Sequence, residues 1–203
     1  STPIKSSAAS DVYKRQIEWL HIDVMDGVFV DNITYGNNVV AAMRKVSNIY
    51  FDTHLMVTDP TNLIPLFALA GSNMLTIHLE SKGDTTANLK YIKKSGMNAG
   101  LAIKPATDWK EVIPYLPLCD MVLVMTVEPG YGGQGFIPQC ADKVAMLRKY
   151  CNENGFDKMN IQVDGGINTA TAATVKDAGA NVLVAGTYLF RAKDMKAAAD
   201  AIR

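Results

Sequence analysis

From Trp19 onward the chain alternates short apolar runs with longer stretches of helical spacing. The apolar runs lie at 19–24, 50–57, 74–79, 99–103, 121–127, 160–163 and 182–185. Each is too short for a helix, and most are rich in Val, Ile and Leu. Such runs suit parallel strands buried on both faces. Helices are predicted at 39–46, 61–70, 85–95, 108–116, 137–154, 169–178 and 194–202. Pro60, Thr107 and Asn168 stand where three of them start, and Gly71, Gly96, Gly155 and Gly179 stand where four of them stop. These residues fit helix capping.

Strand–helix alternation implies an α/β protein with a parallel sheet. A closed (β/α)8 barrel and an open doubly wound sheet both satisfy it. The polar residues decide between them. Asp23, His54, His78, Lys104, Met125, Asp164 and Gly186 are all expected at or beside strand C-termini. A barrel gathers every strand C-terminus around one mouth, whereas an open sheet gathers only those near its switch point. The barrel is therefore expected, as one domain over 17–203. Eight strands are needed and seven are found. Residues 1–16 are polar and show no strand-like run. They read as a tag, a junction or a replaced N-terminus, with the first β/α unit missing or replaced.

Composition narrows the function classes. Lys+Arg and Asp+Glu each number 20 among 203 residues, so the formal net charge is zero. No basic stripe points to nucleic acid. No apolar run approaches the roughly 18 residues of a membrane span, and no signal-peptide core opens the chain. The three cysteines, Cys119, Cys140 and Cys151, lack metal spacing and suggest reduced thiols rather than a disulfide framework. A cytoplasmic location is expected, with no nucleic-acid or membrane partner. Self-association into a homo-oligomer is also expected.

The chemistry-bearing residues cluster by position. His21 and Asp23 sit two apart on one predicted strand and so share a face. His54 is expected to end the next strand, and Asp164 a strand far along the chain. Two imidazoles and two carboxylates suit one divalent metal of borderline hardness, such as Fe, Mn, Zn or Co. His78, the third histidine, is read as a neighbouring polar residue and not as a ligand. Glycine-rich turns follow three strands: Gly130-Tyr131-Gly132-Gly133-Gln134-Gly135, Gly165-Gly166 and Gly186-Thr187. Such loops can wrap a phosphate with backbone N–H groups. The first satisfies a dinucleotide fingerprint but lacks the acid that must follow it. Asp23 and Asp164 can serve as a general base and a general acid across a metal. The reaction expected is proton abstraction beside a carbonyl, as in epimerisation of a phosphorylated ketose. Met25, Met56 and Met125 read first as core filling. Lys104 reads as a solvated or paired lysine.

Several segments resemble the ribulose-phosphate 3-epimerase family: LHIDVMDG at 20–27, NITYG at 32–36, THLMV at 53–57, IHLE at 77–80, GLAIKP at 100–105, VMTVEPGYGGQ at 124–134 and VDGGI at 163–167. The resemblance implies a barrel that interconverts D-ribulose 5-phosphate and D-xylulose 5-phosphate. It implies that His21, Asp23, His54 and Asp164 hold a divalent metal and that Asp23 and Asp164 are the acid/base pair. It also implies that His54, Gly132, Gly133, Gln134, Gly165, Gly166, Gly186 and Thr187 contact the substrate and its phosphate. Met25, Met56 and Met125 would cap the intermediate. Residues 1–16 do not match the family's opening serine-bearing strand. Asp31 stands where the family often has proline, and Thr187 where it often has serine. Three alternatives remain: a hexulose-phosphate 3-epimerase, an inactive sugar-phosphate binder, and orotidine-phosphate-decarboxylase-like chemistry. The last needs a second aspartate where Ile113 stands.

Overall fold

A computed structural model describes residues 17–203; the expected replacement of the first unit lies in 1–16, outside the described residues. Among the described residues seven strands pair in parallel, in chain order: β1 (Trp19–Met25), β2 (Tyr50–Met56), β3 (Met74–His78), β4 (Asn98–Ile103), β5 (Met121–Met125), β6 (Asn160–Asp164) and β7 (Val182–Val184). The sheet curls into a nearly closed barrel. Gln162 on β6 donates from Nε2 to Asp52 Oδ2 on β2 at 2.6 Å, across the interior.

Helices cover the outside: α1 (Asn37–Arg44), α2 (Ile64–Ala70), α3 (Thr85–Lys94), α4 (Gln139–Glu153), α5 (Thr169–Asp177), α6 (Gly186–Phe190) and α7 (Met195–Ile202). Strand periodicity of two sorts the side chains. Phe51, Leu55, Leu75, Ile77, Leu101, Ile103, Val122, Val124, Ile161 and Val163 point outward and meet Val40, Phe67, Leu89, Ile92, Val144, Leu147 and Val175. Each such buried aliphatic contributes about 1.5–3 kcal/mol over its exposed state. The other parity faces the barrel axis. There Ala102, Leu123, Met125 and Val127 form a small apolar core, and the polar residues of β1, β2, β3 and β6 occupy the remaining space. The three cysteines are free and buried. Burial pushes the Cys119 thiol up to about 12.

Three expectations need correction. Residues 108–116 do not form an α-helix: Trp109–Leu118 is a 3-10 helix containing Pro114 and Pro117. Proline has no N–H for the i→i−4 ladder and clashes with the preceding turn. Asp108 opens this segment by accepting from Lys110 N, in a capping box with Glu111, so the decarboxylase-like alternative loses its first aspartate to capping. Second, α6 forms where only a glycine turn was expected. Third, neither Asp23 nor His54 ends its strand; each lies two residues before the end. Lys104 and Gly186 follow their strands, and β5 stops at Met125.

Candidate active site

The strand register builds the site in layers. Along β1 and β2, His21 lies opposite Asp52, Asp23 opposite His54, and Met25 opposite Met56. On the far side Leu123 lies opposite Gln162 and Met125 opposite Asp164. The lower layer thus carries His21, Asp52 and Gln162, and the layers above carry Asp23, His54, Asp164 and the methionines.

His21, Asp23, His54 and Asp164 each bring one ligand atom into a cluster whose atoms all lie within 4.8 Å of one another. His21 donates from Nδ1 to Asp52 Oδ2 at 2.7 Å. Its Nε2 then faces Asp23 Oδ1 at 3.2 Å and Asp164 Oδ2 at 3.8 Å. That Nε2 is buried and has no hydrogen-bond partner. His54 is fully buried. Its Nδ1 lies 3.0 Å from Asp23 Oδ1 and its Nε2 lies 2.9 Å from His78 Nε2. Two imidazoles and two carboxylates, with one orphaned nitrogen among them, form a donor set that fits a divalent cation of borderline hardness.

The two carboxylates differ in acidity because their surroundings differ. Burial alone would raise Asp23. The nearby charge of His21, with the hydrogen bond of His54, outweighs it and holds Asp23 well below the usual carboxylate range. Asp164 moves the other way. Burial, then the negative charge of Asp23, push it up to about 6. Burial would lower His21, but Asp52 and Asp23 raise it well above its ordinary value. Buried His78 is pushed down to about 4, so it is neutral near pH 7. Burial would raise Glu80, yet hydrogen bonds from His78, Thr107 and Lys104 hold it down to about 2.

Above the cluster opens a cavity of roughly 700 Å³. Its walls include Asp23, Asp164, the three methionines, Gly132, Gly133, Gln134, Gly165, Gly166, Gly186 and Thr187. Every site residue expected from sequence therefore lines one space, except His21 and His54, which lie beneath its floor. Gln134 turns its Nε2 inward, donating to Glu128 O and Tyr131 O, and so braces its own loop. Thr126 Oγ1 donates to the carbonyls of Asp164 and Gly165 and fixes where the Asp164 loop leaves β6. Gly165 and Gly166 have φ of +121° and +68°. A Cβ on them would lie 2.4 Å from Val127 Cγ2 and 2.6 Å from Phe136 N. Lys104 places its Nζ 4.1 Å above the Phe29 ring.

Sequence reasoning missed Asp52, Gln162 and Glu80; His78, read as a neighbouring polar residue and not a ligand, lies outside the four-residue cluster and against His54. One signal was present. His21/Asp23, Asp52/His54, His78/Glu80 and Gln162/Asp164 are all polar pairs two residues apart. In the three pairs that lie within strands, His21/Asp23, Asp52/His54 and Gln162/Asp164, both residues face the same side.

The same architecture recurs in solved structures. The crystal structure of 3-keto-L-gulonate-6-phosphate decarboxylase from Vibrio cholerae superposes with a TM-score of 0.70 at 15% identity, covering 96% of this chain and 87% of its own. Fold and site together thus define an α/β-barrel protein with paired carboxylates and imidazoles at the mouth. Sequence comparison is narrower. The model of the Ribulose-phosphate 3 epimerase family matches residues 5–190. The Ribulose-phosphate 3-epimerase of Bacillus subtilis is 41% identical over 193 residues, 95% of this chain and 89% of its own. That of Schizosaccharomyces pombe is 44% identical over 179 residues, 87% of this chain and 76% of its own. The chain belongs to the ribulose-phosphate 3-epimerase family, whose named members are epimerases of the isomerase class.

Proposed function

We propose that this chain interconverts D-ribulose 5-phosphate and D-xylulose 5-phosphate, with one divalent metal ion held by His21, Asp23, His54 and Asp164. The observation that carries the reading is the convergence of those four ligand atoms within 4.8 Å, under a glycine-walled cavity. A bound ion such as Fe, Mn, Zn or Co supplies positive charge against the negative charge that develops on the sugar when its C3 proton leaves.

The protein's own groups do the rest. The glycine turns at 132–133, 165–166 and 186 offer backbone N–H groups to the phosphate, and Thr187 adds a hydroxyl. Met25, Met56 and Met125 present apolar thioethers over the reacting carbons and exclude water. For turnover the carboxylate pair must carry one proton, taken up from solvent, and burial beside Asp23 makes Asp164 the more readily protonated of the two. Asp23 takes the C3 proton, and Asp164 delivers its own to the other face of that carbon. The reverse epimer uses the same pair with roles exchanged.

Deuterium exchange at C3 in heavy water, followed by NMR, tests this. Exchange and xylulose 5-phosphate should appear together, vanish with chelator, and fall by about 10²–10⁴-fold in Asp164→Asn. Allulose 6-phosphate, run alongside, separates pentulose from hexulose specificity. A folded, metal-loaded chain that exchanges neither sugar would sink the proposal.

A further inference from the structure

Behind the candidate metal cluster runs a line of hydrogen bonds with three gaps. Asp23 Oδ1 and His54 Nδ1 are 3.0 Å apart. His54 Nε2 and His78 Nε2 are 2.9 Å apart. His78 Nδ1 and Glu80 Oε2 are 3.0 Å apart. Two neutral imidazoles carry one N–H each, whereas the two carboxylates at the ends only accept. With both rings neutral, two protons serve three gaps, and one gap sets acceptor against acceptor unless a third proton or a cation supplies positive charge there. A cation at the Asp23 end resolves this, because His54 Nδ1 then faces positive charge. His54 Nε2–H can donate to His78, and His78 Nδ1–H to Glu80.

The far end of the line is fixed in place. Glu80 Oε1 accepts from Lys104 N at 2.8 Å and from Thr107 Oγ1. The loop that carries those donors is held in turn by Lys143 Nζ on α4, which donates to the carbonyls of Lys104, Pro105 and Thr107. Both histidines are buried, and the Phe29 ring lies 4.8 Å from the His78 ring. Water cannot readily supply the missing donor.

The geometry points to His78 and Glu80 as positioning residues: their hydrogen bonds set the His54 tautomer that leaves Nδ1 bare toward the cation site. This rests on the metal reading of the tetrad and adds to it a reason why His54 binds through Nδ1. Ligand imidazoles commonly gain orientation and basicity from such a partner, and its loss typically costs about 10–100-fold in metal affinity.

The test uses Zn²⁺ as a diamagnetic probe, with chelator competition for affinity and ¹⁵N NMR of the histidine rings for tautomer. In the Zn²⁺-loaded wild-type chain, His54 should carry its proton on Nε2 and His78 on Nδ1. Glu80→Gln should weaken Zn²⁺ binding about 10–100-fold and change the His78 ring signature, with its urea midpoint reported beside it. His78→Phe should weaken binding similarly. If that variant fails to fold, Glu80→Gln decides alone. Wild-type affinity and unchanged ring signals in Glu80→Gln, even with a lowered urea midpoint, would overturn the positioning role while leaving the metal site standing. A wild-type chain that binds no Zn²⁺ would overturn the metal reading, and this inference with it.

Discussion

At the scale of single residues, the proposed metal site sets protons in competition with a cation. His21 is held protonated above its ordinary range, and Asp164 is raised to about 6. A ligand must shed its proton to bind a metal. Near pH 7, binding therefore releases one proton, from His21. Below about pH 6 it releases a second, from Asp164. As pH is lowered, the logarithm of metal affinity should fall by about one per pH unit above pH 6 and by about two per unit below it. Competition titrations across pH 5–8 would show this, and a pH-independent affinity would refute it. Asp52 acts through the same residue. It accepts from His21 Nδ1 and Gln162 Nε2, and one of its own oxygens is left without a partner. Asp52→Asn removes the charge that supports His21. Metal affinity should drop by about 10–100-fold, read by the same titration, and unchanged affinity would count against the role.

At the scale of elements, sequence and structure part company for physical reasons. The strands were legible because each is a short apolar run bounded by turn residues, and β3 and β5 are buried at every position. The 3-10 helix was misread because its apolar spacing mimics an α-helix, while Pro114 and Pro117 decide the hydrogen bonding. α6 was missed because five residues carry too little periodicity to register. The tetrad was legible because histidine and aspartate are conspicuous in apolar strands. Asp52 and Gln162 were not, because a buried polar residue is recognised by its partner, and the partner lies on another strand. The Asp164 loop yields its own prediction. Gly166 needs φ of +68° and room beside Phe136 N. Gly166→Ala should lower stability by about 1–3 kcal/mol and raise KM for the sugar phosphate more than it lowers kcat. Urea unfolding and steady-state kinetics would measure both. Wild-type values for each would show that the loop accommodates a side chain.

At the scale of the whole molecule, stability is unevenly distributed. β3 and β5 are wholly buried, and β4 is buried after its first residue. β7 has three residues, none fully buried, and α6 buries none at all. Local opening follows burial and hydrogen bonding. Amide hydrogen exchange should be slowest in β3–β5 and fastest in β7 and α6, and a bound phosphate ester should slow it at α6. Uniform exchange across the barrel would contradict this gradient. No helix among the described residues is long and apolar enough to cross a membrane.

The pairing of β1 with β2 has a consequence for how this protein can be assayed. Asp23 meets His54, and His21 meets Asp52, only in one alignment of the two strands. A shift of β2 by one residue would turn Asp52 and His54 to the opposite face and bring Thr53 and Leu55 inward instead. Such a chain would keep its helices, its strands and much of its greasy interior, and a spectrum of secondary structure would not distinguish it. Turnover would. Catalysis here works as a proofreading signal for the backbone, reporting a misthreaded molecule as silence where optical methods report health.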